Sequence, residues 1–131
     1  MPMTTTWANL VGDHVIGKSD IGALADIWMG LFTADPGDSG SQTSEVTGTG
    51  YARINVTSSM GAFAAKVSIS TAEINFGSPG SDWGTIAYVG FLTASSGGTM
   101  KYHEALPNPR NATSGSRPVK FASGQVQIRH E

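Results

Sequence analysis

The stretch "WGTIAYVGFLTASSGGTMKYHEAL", Trp83 to Leu106, carries the decision about fold. Its opening, Trp83 to Thr93, is the most apolar strand pattern in the chain and is expected at the centre of a sheet. Ala94 to Gly98, "ASSGG", is a turn, and "TMKYHEAL" returns from it with Met100, Tyr102 and Glu104 expected on one side. Two strands joined by so short a turn must run antiparallel.

Working outward, the same grammar repeats. "DIWMGLFT", Asp26 to Thr33, sets Ile27, Met29 and Leu31 against Trp28 and Phe32 and reads as a second internal strand. "YARINVT" alternates, with Ala52, Ile54 and Val56 expected inward and Tyr51, Arg53 and Asn55 outward. Val67 and Ile69, Ile74 and Phe76, Val119 and Phe121, and Val126 and Ile128 are spaced for further short strands. Between them, Ala34 to Gly50 and Pro107 to Ser116 are rich in turn formers and are expected as long exposed loops. "MGLFTADPG" and "VGFLTASSG" echo one another, as two strands ending in similar turns would.

At the N-terminus, Trp7, Leu10, Val11 and Val15 form one helical stripe behind the capping threonines 4 to 6. "GDHVIGKS", Gly12 to Ser19, satisfies the phosphate-loop spacing, but here the helix precedes the loop. Gly17 then falls where a left-handed helix stop belongs, and an anion would meet the carbonyl end of the helix dipole. The expectation is therefore an all-β fold. It is a single β-sandwich or jelly-roll-like domain spanning 1–131, with about seven or eight antiparallel strands from about 26 to 130 and one short helix at about 5–16.

Composition narrows function. The net charge is −2, and the eight Lys and Arg residues are scattered, so a nucleic-acid partner is not expected. Without cysteine there are no disulfides, thiolate metal sites or thiol nucleophile. No apolar run reaches membrane-span length, and Met1 to Val11 lacks the pattern of a signal peptide, so neither membrane insertion nor export is expected. Charged residues make up 14%, against about 25% in typical globular domains. A polar, weakly charged surface suits close packing of many copies.

The chemistry-bearing residues are sparse. His14, His103 and His130 share no metal-site spacing; His103 reads as a partly exposed strand residue. Asp35, Asp38 and Glu45 share a glycine-rich loop that could hold calcium, though without the helix-loop-helix spacing; as a plain loop, its aspartates would form turns. There is no G-x-S-x-G nucleophile turn, and no catalytic, cofactor or metal residue is assigned. Asn55 and Asn111 fit the glycosylation pattern by coincidence. Trp28, Trp83, Phe32 and Phe91 could be core or a ligand platform, with Trp83 the best placed for an exposed role. The interface candidates are Trp7, Leu10 and Val11 on the helix, Asp35, Asp38 and Glu45 in the first long loop, Trp83, and Asn108 and Arg110 in the second.

The segments "EVTGTGYARINV", "SDWGTIAYVGFLTASSGG" and "FASGQVQI" together resemble a family of small tailed-bacteriophage structural proteins often labelled phage tail fibre protein. Members run "EVSGGGYAR", then a "DWGTVTHVGIFDA" hairpin, then a final strand; the "SSMGAFAAKVSIS" region departs from that pattern. The resemblance implies a non-enzymatic virion protein without cofactors. It would be made in the host cytoplasm and assembled as a homo-oligomer with other virion proteins. Its place would be a tail fibre or baseplate, or the capsid as decoration (cement) protein. A carbohydrate- or receptor-binding module, taking a host surface glycan, is the alternative.

Overall fold

The computed structural model describes residues 3–21 and 26–129; His130, at the end of the expected last strand, lies outside them. Helix α1 spans Thr5–Val15. The hydroxyl of its cap, Thr4, accepts the Trp7 N–H at 3.4 Å and donates to the Met100 carbonyl at 2.6 Å. The cap therefore also docks the helix. At the other end Gly17, at φ +77, gives its N–H to the His14 carbonyl at 3.1 Å, and Lys18 gives its N–H to Asp13 at 2.8 Å. These two bonds are the Schellman stop, so the carbonyl end of the helix meets "GKS" as expected. The stripe docks only in part. Trp7 is buried and Val11 packs on the core, but Leu10 and Val15 are exposed.

Among the described residues eight strands follow: β1 (Trp28–Phe32), β2 (Ile54–Asn55), β3 (Val67–Ile69), β4 (Ile74–Asn75), β5 (Gly84–Leu92), β6 (Met100–Ala112), β7 (Lys120–Phe121) and β8 (Gln127–Arg129). One sheet has the order β2-β1-β5-β6, and two ribbons pair β3 with β8 and β4 with β7. Every pairing is antiparallel, so the all-β class with one N-terminal helix holds. The two internal strands are the two that are apolar on both faces. One face of the sheet contributes Met29, Leu31, Val89 and Phe91 to the main core, which Ile74, Phe76, Phe121 and Ile128 complete from the ribbons. The second layer is thus a pair of ribbons instead of a continuous sheet. The opposite face carries Phe32, Leu92 and Met100, with Tyr88 packed beside them.

The sequence echo has a structural meaning: Gly30 lies directly opposite Gly90, flanked by the Met29–Phe91 and Leu31–Val89 pairs. A Cβ on Gly90 would stand 2.8 Å from the Phe32 ring and 2.9 Å from Met100. On Gly30 it would stand 3.0 Å from the Glu45 carboxylate. Both glycines make room for side chains lying flat on the second face.

Several expectations are corrected. A register shift pairs Leu92 with Met100 but Phe91 with Tyr102, so Lys101 is an extra residue. Met100 and Tyr102 consequently land on opposite faces, and Glu104 is exposed. "PNPRNA" is not loop but strand: β6 runs to Ala112, with Leu106 to Pro109 bulging opposite the single residue Ala87. Ser68 and Ser70 are buried in place of Val67 and Ile69, because their hydroxyls are bonded inside. Ser68 donates to the Gly61 carbonyl, and Ser70 accepts from Gly124 and Val126. Ala52 is exposed and Arg53 buried, the reverse of the expected alternation. The Ala34–Gly50 segment also folds back, burying Val46, whose N–H bonds the Leu31 carbonyl at 3.0 Å.

Two glycines separate packing from backbone effects. A Cβ on Gly48 would lie 2.3 Å from Trp83 Cδ1, so Gly48→Ala should cost about 1–3 kcal/mol of stability through overpacking. Gly12 is an exposed helical residue with nothing within 4 Å, and Gly12→Ala should add about 0.5–1 kcal/mol. Urea unfolding followed by tryptophan fluorescence measures both; equal signs would refute the assignment.

Candidate functional site

The first long loop is held by a buried ion pair. The side chain of Arg53 is 3% exposed, and its guanidinium meets Glu45 as a fork, Nε to Oε2 and Nη2 to Oε1, both at 2.7 Å. Nη1 donates to the carbonyls of Ala94 (2.8 Å) and Gly97 (2.9 Å), and Nη2 also donates to Gln42 Oε1 at 3.0 Å. All five donors of the guanidinium are used. Tyr51 adds its hydroxyl to Glu45 at 2.6 Å and accepts the Leu31 N–H at 3.0 Å. Burial alone would raise the Glu45 carboxyl pKa, but the bonds from Arg53 and Tyr51 outweigh it and hold it below the usual carboxylate range. Burial, with the Glu45 bond adding to it, pushes the Tyr51 phenol far up.

Trp83 is also interior. It is 4% exposed, edge-on to Tyr51 at 5.7 Å, and donates its indole N–H to the Thr49 carbonyl at 3.0 Å. Of the two readings, core or exposed platform, the structure gives core: Gly48 lies against the ring and Thr49 takes its N–H.

Asp35 and Asp38 lie elsewhere, beside α1. The Asp38 carbonyl accepts the Thr5 N–H at 2.8 Å. Between the two carboxylates stands His103, 6% exposed where partial exposure was expected; Nδ1 is 3.6 Å from Asp35 and Nε2 3.5 Å from Asp38. Both separations exceed a hydrogen bond. The carboxylates approach opposite nitrogens and Glu45 is turned to Arg53, so the three acids of the calcium reading do not converge. Among the described residues, no group of three His, Asp or Glu side chains could hold a metal ion. Nearby, the Lys101 ammonium sits 4.8 Å over the Trp7 ring, and burial lowers its pKa.

The interface candidates therefore divide three ways. Trp7, Leu10, Val11, Asp35 and Asp38 gather around α1 and the start of β6. Asn108 and Arg110 lie at the distant bulge, where Arg110 covers the Phe121 ring at 4.6 Å. Trp83 belongs to the interior, and Glu45 is half-buried in the loop framework. Sequence alternation missed Arg53, since a period-two pattern takes no account of a partner eight residues away. The signal was the Glu45, Tyr51, Arg53 spacing inside the "EVTGTGYAR" segment.

These geometries describe a β-protein that orders its loops with internal polar bonds. The family model described as "Podophage GP4 fiber I protein gp80" matches residues 2–129, and the chain belongs to this family of podophage fibre proteins. Its role is accordingly structural, as part of a phage virion and in contact with other virion proteins. Among curated proteins, none matches the chain.

Because the folded-state pKa of Glu45 is depressed, its contribution to stability is present at neutral pH and is lost as the pH falls below the usual carboxylate range. Glu45→Gln should flatten that acid dependence, measured as melting temperature against pH. Glu45→Ala should cost about 3–5 kcal/mol by leaving the buried guanidinium uncompensated. Arg53→Lys should be no better tolerated than a loss of the fork, since three donors cannot serve five bonds. An unchanged midpoint in Arg53→Lys would contradict this account.

Proposed function

We propose that the chain is a non-enzymatic, tail fibre- or baseplate-associated component of the virion. It is present in several copies, and α1 with the adjoining Asp35–Asp38 loop is its anchoring surface. The observation that carries the reading is the undocked end of the helix. Leu10, Val15 and Ile16 are 37%, 75% and 67% exposed, while the same helix is rigidly tied to β6 and to the loop through Thr4 and Thr5. A fixed apolar end on an otherwise weakly charged surface supports contact with a neighbouring subunit or another virion protein. The description of the family as a fibre protein supports the tail over the alternative, a decoration of the head.

Two measurements test this. Cryo-electron microscopy of particles should place the protein at the tail; density spread over the capsid would replace the reading with the head-decoration one. The triple variant Leu10→Ser, Val15→Ser, Ile16→Ser should keep its fold by circular dichroism. It should enter particles at less than about a tenth of the wild-type level, the loss that about 1.4 kcal/mol produces. Normal incorporation would remove the helix from the anchoring role.

A further inference from the structure

A second surface lies away from α1, where the β6 bulge faces the β7–β8 turn. Two clefts, of about 180 Å³ and about 380 Å³, share Leu106, Pro107, Phe121, Gln125 and Gln127 and form one groove. The larger lies within the about 300–1,000 Å³ typical of small-ligand sites. The smaller cleft has an apolar floor, closed from below by Met29, Val89 and Val126 of the core. Half-buried Leu106 of β6 lines both clefts.

The polar side chains along it are Glu104, Asn108, Arg110, Gln125, Gln127 and Arg129. All six end in planar groups: three carboxamides, one carboxylate and two guanidiniums. A carboxamide presents a donor and an acceptor side by side, and a guanidinium presents paired donors. Several are held in place already. Gln125 Oε1 accepts the Ala122 N–H at 2.8 Å, and Gln127 Oε1 accepts from Arg129 Nη2 at 2.7 Å. Arg110 is stacked on Phe121 and bonded to the Lys120 carbonyl.

β6 is also the edge of the four-stranded sheet, so an added peptide strand is the other occupant to weigh. Recognition of that kind depends on a row of main-chain donors and acceptors. Pro107 and Pro109 supply no N–H, which interrupts the row at the bulge. Side chains, not backbone, must therefore recognise whatever lies here.

We infer that this groove is a saccharide-binding site. Neighbouring ring hydroxyls, each donor and acceptor at once, match the carboxamides and guanidiniums. The C–H face of a pyranose would rest on Leu106 and Pro107, because Arg110 already covers the ring of Phe121. The inference goes beyond the structural role and does not depend on where in the particle the protein sits.

The test is a titration of the 15N-labelled chain with galactose, N-acetylglucosamine, rhamnose and galacturonate, each to tens of millimolar. At least one should give saturable amide shifts confined to 104–110 and 122–129. The double variant Asn108→Ala, Gln127→Ala should abolish them without lowering the melting temperature. Should the double variant unfold, Asn108→Ala alone must weaken binding several-fold. No shift with any of the four sugars overturns the inference, as do shifts elsewhere on the chain or shifts that survive the substitutions.

Discussion

The Arg53 guanidinium is the point on which the loops of this protein depend. It takes Glu45 and Gln42 from one long loop and Ala94 and Gly97 from the β5–β6 turn, and holds them against the edge of β1. A buried arginine is costly to desolvate, and that cost is offset only when its donors are satisfied. With all five used, the cost becomes a constraint: one arrangement of both loops saturates the group, and any displacement strands at least one buried donor. A chain with 14% charged residues and no disulfide thereby orders two glycine-rich segments in which Val46 is the one core side chain.

That constraint propagates through glycine. Gly30 leaves room for the Glu45 carboxylate and the Tyr51 hydroxyl, and Gly90 opposite leaves room for Phe32 and Met100. Gly40, at φ +67, would place a Cβ 3.0 Å from Thr4 and 3.1 Å from Met100, so the same loop closes over the cap of α1. Thr4 then bonds the Met100 carbonyl, and helix, loop and β6 become one packed unit. Side chains that a strand would ordinarily carry have been removed so that loops can lie on the sheet. The second layer on this face is therefore a loop held by polar bonds.

Legibility in the sequence followed the physics of each region. Where burial alone decides, as in β1, β5 and the inward pairs Val119 with Phe121 and Val126 with Ile128, alternation located the elements and their faces. The helix stop was legible because Gly17 sits where the Schellman geometry requires positive φ. Legibility failed where hydrogen bonds override hydropathy. Ser68, Ser70 and Arg53 are buried polar residues whose hydrogen-bond partners lie several residues away or in loops. It failed again where register shifts intervene. One extra residue at Lys101 reverses the faces of β6, and the bulge at Leu106 to Pro109 allows a strand to pass through two prolines. Of the candidate site, the helix end was readable from its stripe. The groove at β6 was not, since it needs the bulge and the β7–β8 turn brought together.

Much of the segment "EVTGTGYAR", together with Trp83, holds the loops in place. Glu45, Gly48, Tyr51, Arg53 and Trp83 all serve the loop framework. Freedom to vary without unfolding must lie where few internal bonds are made. The far end of α1 is one such place, and the β6 bulge is another. The turn at Ala65 and Lys66 is different: reciprocal bonds between Ala64 and Val67 close it, and two non-glycine residues at φ +51 and +67 occupy a conformation for which glycine or asparagine is usual. A protein built this way keeps its polar-bonded loop framework apart from the exposed end of α1 and from the β6 bulge.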